Sequence, residues 1–176
     1  MKKDHWILIV FLLTFVLSII FSSISNIITL TCNNIVLFLV LLLTISLGIL
    51  FDLIGTASIT AKESTFHSLN SKRIKGAREG INLIKNSNKI SSICNDIVGD
   101  ICGIISGSIG AILAISISSS TGINNTLVSV ILAAFISSCT VGGKAVFKVV
   151  AINNADKIIL TVSKILAIFG GNKWKH

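Results

Sequence analysis

From Asn34 to Phe51 the chain reads NIVLFLVLLLTISLGILF, eighteen residues without a charge. As an α-helix, a run of that length crosses the ~30 Å hydrocarbon core of a bilayer. In lipid the backbone must satisfy its own polar groups, and a helix does so within a single segment. Comparable runs follow the opening MKKDHW, begin again near Ser92, and begin once more near Thr126. The expected fold class is therefore all-α: a polytopic membrane protein with four transmembrane helices, at about 6–25, 34–56, 92–117 and 126–147. Composition agrees, with 52% hydrophobic and only 12% charged residues, where a soluble domain carries about 25% charged. The chain has no proline, so bends must arise at Gly and Ser.

The first run, ILIVFLLTFVLSIIFSSIS, follows a charged start and could mimic a secretory signal, with Ser22, Ser23 and Ser25 near a cleavage point. It outlasts the usual apolar region of about 7–15 residues. It reads as an uncleaved first span with Trp6 at the interface, where indole rings are favoured.

Charge between the spans sets the orientation. Segment 57–91 carries Lys62, Lys72, Arg73, Lys75, Arg78, Lys85 and Lys89 against Glu63 and Glu79, and the tail adds Lys157, Lys164, Lys173 and Lys175. The stretches NIITLTCN (26–33) and SSSTGINN (118–125) carry no charge. By the positive-inside rule both uncharged loops face outward, and both termini with segment 57–91 are cytoplasmic, in the plasma membrane. The formal charge of +8, placed beside apolar runs, suits anionic headgroups rather than nucleic acid.

Segment 57–91 is expected to be helical. Ser71 can N-cap SKRIKGAREGINLIKN, where Ile74, Ala77, Ile81 and Ile84 share a face. Asn86-Ser87-Asn88 should break it, with Ser87 or Asn88 capping the third span. Tail residues 154–170 repeat the pattern: Asn154 caps ADKIILTVSKILAIF and Gly170-Gly171 ends it. Basic helices with one apolar stripe lie at a membrane surface. These are the juxtamembrane helices of the expected fold.

Two lysines, Lys144 and Lys148, interrupt the end of the fourth run. A charge at the centre of a membrane helix costs roughly 2.5–3.5 kcal/mol, less near an interface, so it snorkels or finds a partner. Counting at 1.5 Å per residue from the outer helix ends puts Asp52, Asp100 and Lys144 roughly 28 Å deep, near the inner boundary. Asp96 lies one turn further in. Either these groups meet, or each reaches the headgroups alone. If α-helical structure breaks at Gly142-Gly143, the carbonyls of Thr140 and Val141 become further acceptors.

Gly99, Gly103 and Gly107 form a ridge extended by Gly110, which points to close helix packing first and a pore lining second. Cys32, Cys94, Cys102 and Cys139 lack C-x-x-C spacing and read as small apolar fillers, with a zinc site the remaining alternative. His5, His67 and His176 show no metal-binding spacing. With no G-x-S-x-G elbow and no Ser/His/Asp grouping, an enzyme is not expected.

ITAKESTFHSLNSKRIKGAREGINLIKNSNKISSI resembles the stretch joining the first two membrane helices of the CNNM/CorB/CorC magnesium-transport family, and GKAVFKVVAINNADKI resembles that family's third-helix ending. The likeness covers about Phe51 to Ile168. Gly143, Lys148, Ala151, Asn154, Asp156 and Lys157 match the family pattern Gly-Glu-x-x-Pro-Lys and the helix start after it. Lys144 stands at the family's Glu, and Phe147 at its Pro. The extra N-terminal span and the missing CBS domains are further departures.

The resemblance implies a cation site between helices. Its candidates are Asp52 and Gly55, then Ser91, Ser92, Asn95, Asp96 and Asp100, then Gly143, Lys144 and Lys148; Asp52, Asp96 and Asp100 are the candidate metal ligands. It also implies Mg²⁺ as the ion and a homodimer as the assembly, in a lipid bilayer. Two functions stand side by side. One is a CorB-like carrier of Mg²⁺ or a related divalent cation. The other is a non-transporting partner or regulatory subunit in which an internal Lys-Asp salt bridge has replaced the ion.

Overall fold

A computed structural model describes residues 8–9, 11–20, 22–23 and 33–169, and among them it holds helices and turns but no strand. Trp6, residues 26–32, His5, His176 and Gly170-Gly171 lie outside the described residues. The helices are α1 (Phe11–Ile20), α2 (Asn34–Thr60), α3 (Glu63–Ser71), α4 (Ala77–Lys85), α5 (Ser87–Ser91), α6 (Gly99–Thr121), α7 (Asn125–Asn153) and α8 (Ala155–Phe169). A π-helical segment, Ser92–Val98, joins α5 to α6. Three continuous helices are long and apolar enough to cross a membrane: α2, the 35-residue stretch Ser87–Thr121, and α7. Helix α1 is shorter.

The long helices outlast their apolar runs. Helix α2 continues to Thr60 instead of 56, α6 to Thr121 instead of 117, and α7 to Asn153 instead of 147. No proline stops them: α2 adds Ala57–Thr60 and α7 adds Lys148–Asn153, while the Ser118–Thr121 end of α6 runs on until Gly122 closes it. The loop between α6 and α7 is correspondingly short. Gly122 takes φ 70° and its N–H reaches Ser118 O at 2.9 Å, while Asn124 Oδ1 caps α7 by accepting from Thr126 N at 2.9 Å.

The described residues form two compact units, which draw on different parts of α2 and α7. The first comprises those up to Ile49 together with Ile97–Gly143. Its core is Leu37, Leu41 and Ile45 of α2, Ile109 and Leu113 of α6, and Ile136 of α7. The α2 trio follows helical spacing, one buried face on a helix apolar all round. Ser116 Oγ donates to Asn34 Oδ1 at 2.9 Å and ties the end of α6 to the start of α2. Much apolar surface stays uncovered: only 6% of the most apolar window of α7 is buried. In water that would be untenable, and in lipid it is ordinary.

The second unit comprises Leu50–Asp96 and the described residues from Lys144 on. Phe66, fully buried, anchors it, with Ala57, Ala61, Ile81, Ala151, Ala155 and Ile159 around it. Small residues let the short helices approach: a Cβ at Gly80 would overlap the Phe66 ring and come within 3.1 Å of Ser163 Oγ.

Three local expectations are corrected here. Ser71 ends α3 instead of starting a helix, and its hydroxyl donates back to His67 O at 3.1 Å. Helix α3 closes in a Schellman motif: Arg73 N reaches Asn70 O at 2.9 Å and Ile74 N reaches Leu69 O at 3.1 Å, with Arg73 at φ 56°. Asn154 does not cap α8 with its side chain, which donates to Val150 O at 3.4 Å. Helix α7 runs unbroken through Gly142-Gly143, so the carbonyls before them stay within the helix.

Candidate functional site

The break in helical regularity falls in the third apolar run rather than the fourth. A π segment accommodates one more residue per turn than its α flanks, and such segments often mark functional sites. Within it, Asn95 Nδ2 donates to the buried Ser91 Oγ at 3.2 Å. Asn95 Oδ1 is enclosed and has no hydrogen-bond partner. It presses on Gly55 of α2, where a Cβ would overlap Oδ1 and lie 2.8 Å from Asn95 Cγ. The buried Ser58 hydroxyl donates to Gly55 O at 2.7 Å and holds that turn of α2. Only glycine at 55 permits this approach. An acceptor enclosed without a donor costs about 1–3 kcal/mol.

Gly55, Ser91 and Asn95 are thus brought together, all within the second unit. The charged candidates are arranged differently. Asp96 is exposed and accepts from Ser92 Oγ, one turn back on its own helix, at 3.0 Å. Asp52 and Lys144 are half-buried and Lys148 is exposed. Lys144 forms no ion pair with Asp52 or Asp96 among the described residues, whereas Glu63 pairs with Lys85 at 3.7 Å and is hydrogen-bonded to His67 at 3.1 Å. Asp100 is exposed and belongs to the first unit. Among the described residues no three His, Cys, Asp or Glu side chains are grouped to hold a metal.

Gly143 does not open the helix; a Cβ there would overlap Ile49 Cδ1, so it serves close packing of α7 on α2. The glycine ridge divides. Gly99 is buried, and Gly110 sits where a Cβ would overlap Ile136 Cδ1. Gly103 and Gly107 face open space and, with Ser106, Ser129 and Ser137, line a groove of about 390 Å³ between α6 and α7. Cys94, Cys102 and Cys139 are in no disulfide among the described residues, and Cys102 Cβ lies 3.1 Å from where a Gly48 Cβ would be. Cys32 lies outside the described residues.

Sequence reasoning missed three features. One is the π segment, for which Ser91-Ser92 before Asn95 was the available signal. Another is Asp156, whose Oδ1 accepts from Lys62 N and Oδ2 from the Thr65 hydroxyl, each at 2.9 Å. The third is a basic hollow between the α3–α4 turn and α8. Compared with family models, curated proteins and solved structures, the chain matches none of them.

Proposed function

We propose that this chain is a four-span integral protein of the plasma membrane, with both termini cytoplasmic, that carries Mg²⁺ or a related divalent cation in the manner of CorB-like proteins. Three spanning-length helices support the membrane reading, and α1 lies inside the first apolar run. The basic stretch 57–91 supports the orientation. One observation carries the cation reading: Asn95 Oδ1, enclosed and unpartnered, at a π segment packed on Gly55. A cation arriving there supplies the missing partner, while Ser91 Oγ holds the Nδ2 end of the carboxamide in place. These oxygens are neutral and Asn95 Oδ1 is enclosed against Gly55, so a divalent ion reaching it must first part α2 from the π segment to admit the waters that Mg²⁺ commonly keeps.

The second reading, a non-transporting partner or regulatory subunit, draws on Lys144, a half-buried cation where the resemblance places a glutamate. Flux of Mg²⁺ into liposomes holding the purified protein separates the two. The carrier reading expects uptake above empty liposomes, lost in Asn95→Leu. No uptake favours the non-transporting protein, and uptake indifferent to Asn95→Leu removes Asn95 from the cation path. The open Gly103–Gly107 face suits close approach of a second copy, in keeping with a homodimer.

A further inference from the structure

The turn Lys72–Gly76 places three cations in five residues and is seated on α8. Gly76 has φ 87°, and a Cβ there would come within 2.9 Å of Lys164 N and 3.1 Å of Lys164 Cα. The close approach fixes the turn against the backbone of α8 and brings distant cations together. Arg73, Lys75 and Arg78 line one side of an open cavity of about 970 Å³, and Lys164 lines the other. Among the described residues Glu79 is the one carboxylate in the lining. Among the described residues neither Arg73, Lys75 nor Lys164 is in an ion pair. Arg73 also holds a left-handed conformation, at the position of a Schellman motif that glycine occupies at no steric cost. Strain retained at a charged residue points to a use for the charge.

The apolar part of the lining decides the kind of anion. Ile74 and Ile168 border the same cavity, and Ile168, 77% exposed, continues into the exposed Ile165 and Leu166 of α8. A free phosphate has nothing to offer that strip. A lipid offers both parts, a phosphate for the cations and an acyl boundary for the isoleucines.

We propose that the hollow between the Lys72–Gly76 turn and α8 binds the phosphate headgroup of an anionic membrane lipid. The site is separate from Gly55 and Asn95 and does not depend on cation transport. The test uses the purified full chain in neutral detergent, with thermal unfolding as the readout. Short-chain phosphatidylglycerol is compared with phosphatidylcholine of the same chain length and with inorganic phosphate. Saturating phosphatidylglycerol should raise Tm by about 5 °C or more, and the other two should not. Lys75→Gln/Lys164→Gln should lose most of that shift while keeping the wild-type Tm in phosphatidylcholine. Lys2→Gln/Lys3→Gln, with the same charge removed elsewhere in the chain, should keep the shift. An equal response to phosphatidylcholine overturns the proposal, as does an equal response to inorganic phosphate. So does a shift that survives in Lys75→Gln/Lys164→Gln, or one lost equally in Lys2→Gln/Lys3→Gln.

Discussion

The Thr65 hydroxyl donates to Asp156 Oδ2 at 2.9 Å across 91 residues of sequence. The other carboxylate oxygen of Asp156 takes the backbone N–H of Lys62. One side chain in the first turn of α8 therefore satisfies the entry to α3, which has no side-chain cap of its own. Both bonds are charge-assisted, worth about 1.5–3 kcal/mol when well buried and less here, where the site is partly open. Asp156→Ala should cost about 1–2 kcal/mol in thermal unfolding and raise hydrogen exchange at Lys62 and Thr65 first. Thr65→Val, losing one bond, should cost less.

Gly80 and Phe66 make a tighter test of packing. Gly80→Ala drives a methyl into the Phe66 ring, so it should destabilise by about 1–3 kcal/mol as overpacking. Phe66→Ala should cost about 3–5 kcal/mol. Unfolding of the double variant should show that Gly80→Ala costs far less once the ring is gone.

The Gly55–Asn95 contact predicts a coupling of its own. Gly55→Ala displaces the Asn95 carboxamide and should destabilise the wild type. On an Asn95→Ala background it should be better tolerated, with a coupling of about 1 kcal/mol in a double-mutant cycle. Additive effects would mean that the two residues do not touch.

Arg73→Gly relieves the left-handed backbone and should stabilise by about 1 kcal/mol. It should also weaken the response to phosphatidylglycerol, so stability and lipid response should move in opposite directions.

Gly103→Ala and Gly107→Ala meet no neighbour within 4 Å. Each should leave the monomer unchanged or slightly more stable, because alanine favours a helix over glycine by about 1 kcal/mol. If a second copy packs on this face, the same changes should shift the mass measured in detergent toward monomer. For orientation, a cysteine at Asn124 should be labelled from outside and one at Asn70 only from inside.

The sequence alone determined that helices long enough to cross a membrane would form, because uncharged runs like Asn34–Phe51 admit no other backbone in lipid. It also placed Gly55, Ser91 and Asn95 among the candidates, and the tertiary structure brought those three together. Their meeting depends on the π segment, a shift of register for which Ser91-Ser92 before Asn95 was only a weak signal. The ends of α2, α6 and α7 were not legible either, since a helix runs on past its apolar pattern where no proline stops it. Charge was the least legible feature. Lysines and aspartates at matched depth suggested pairing, yet side-chain partners depend on helix rotation as well as depth. Asp96 turned to Ser92, and Asp156, matched only as part of a helix start, became the link between α8 and α3. The basic hollow at Lys164 likewise exists because Gly76 lets a turn sit on a backbone 88 residues away, a proximity that only the folded chain can create.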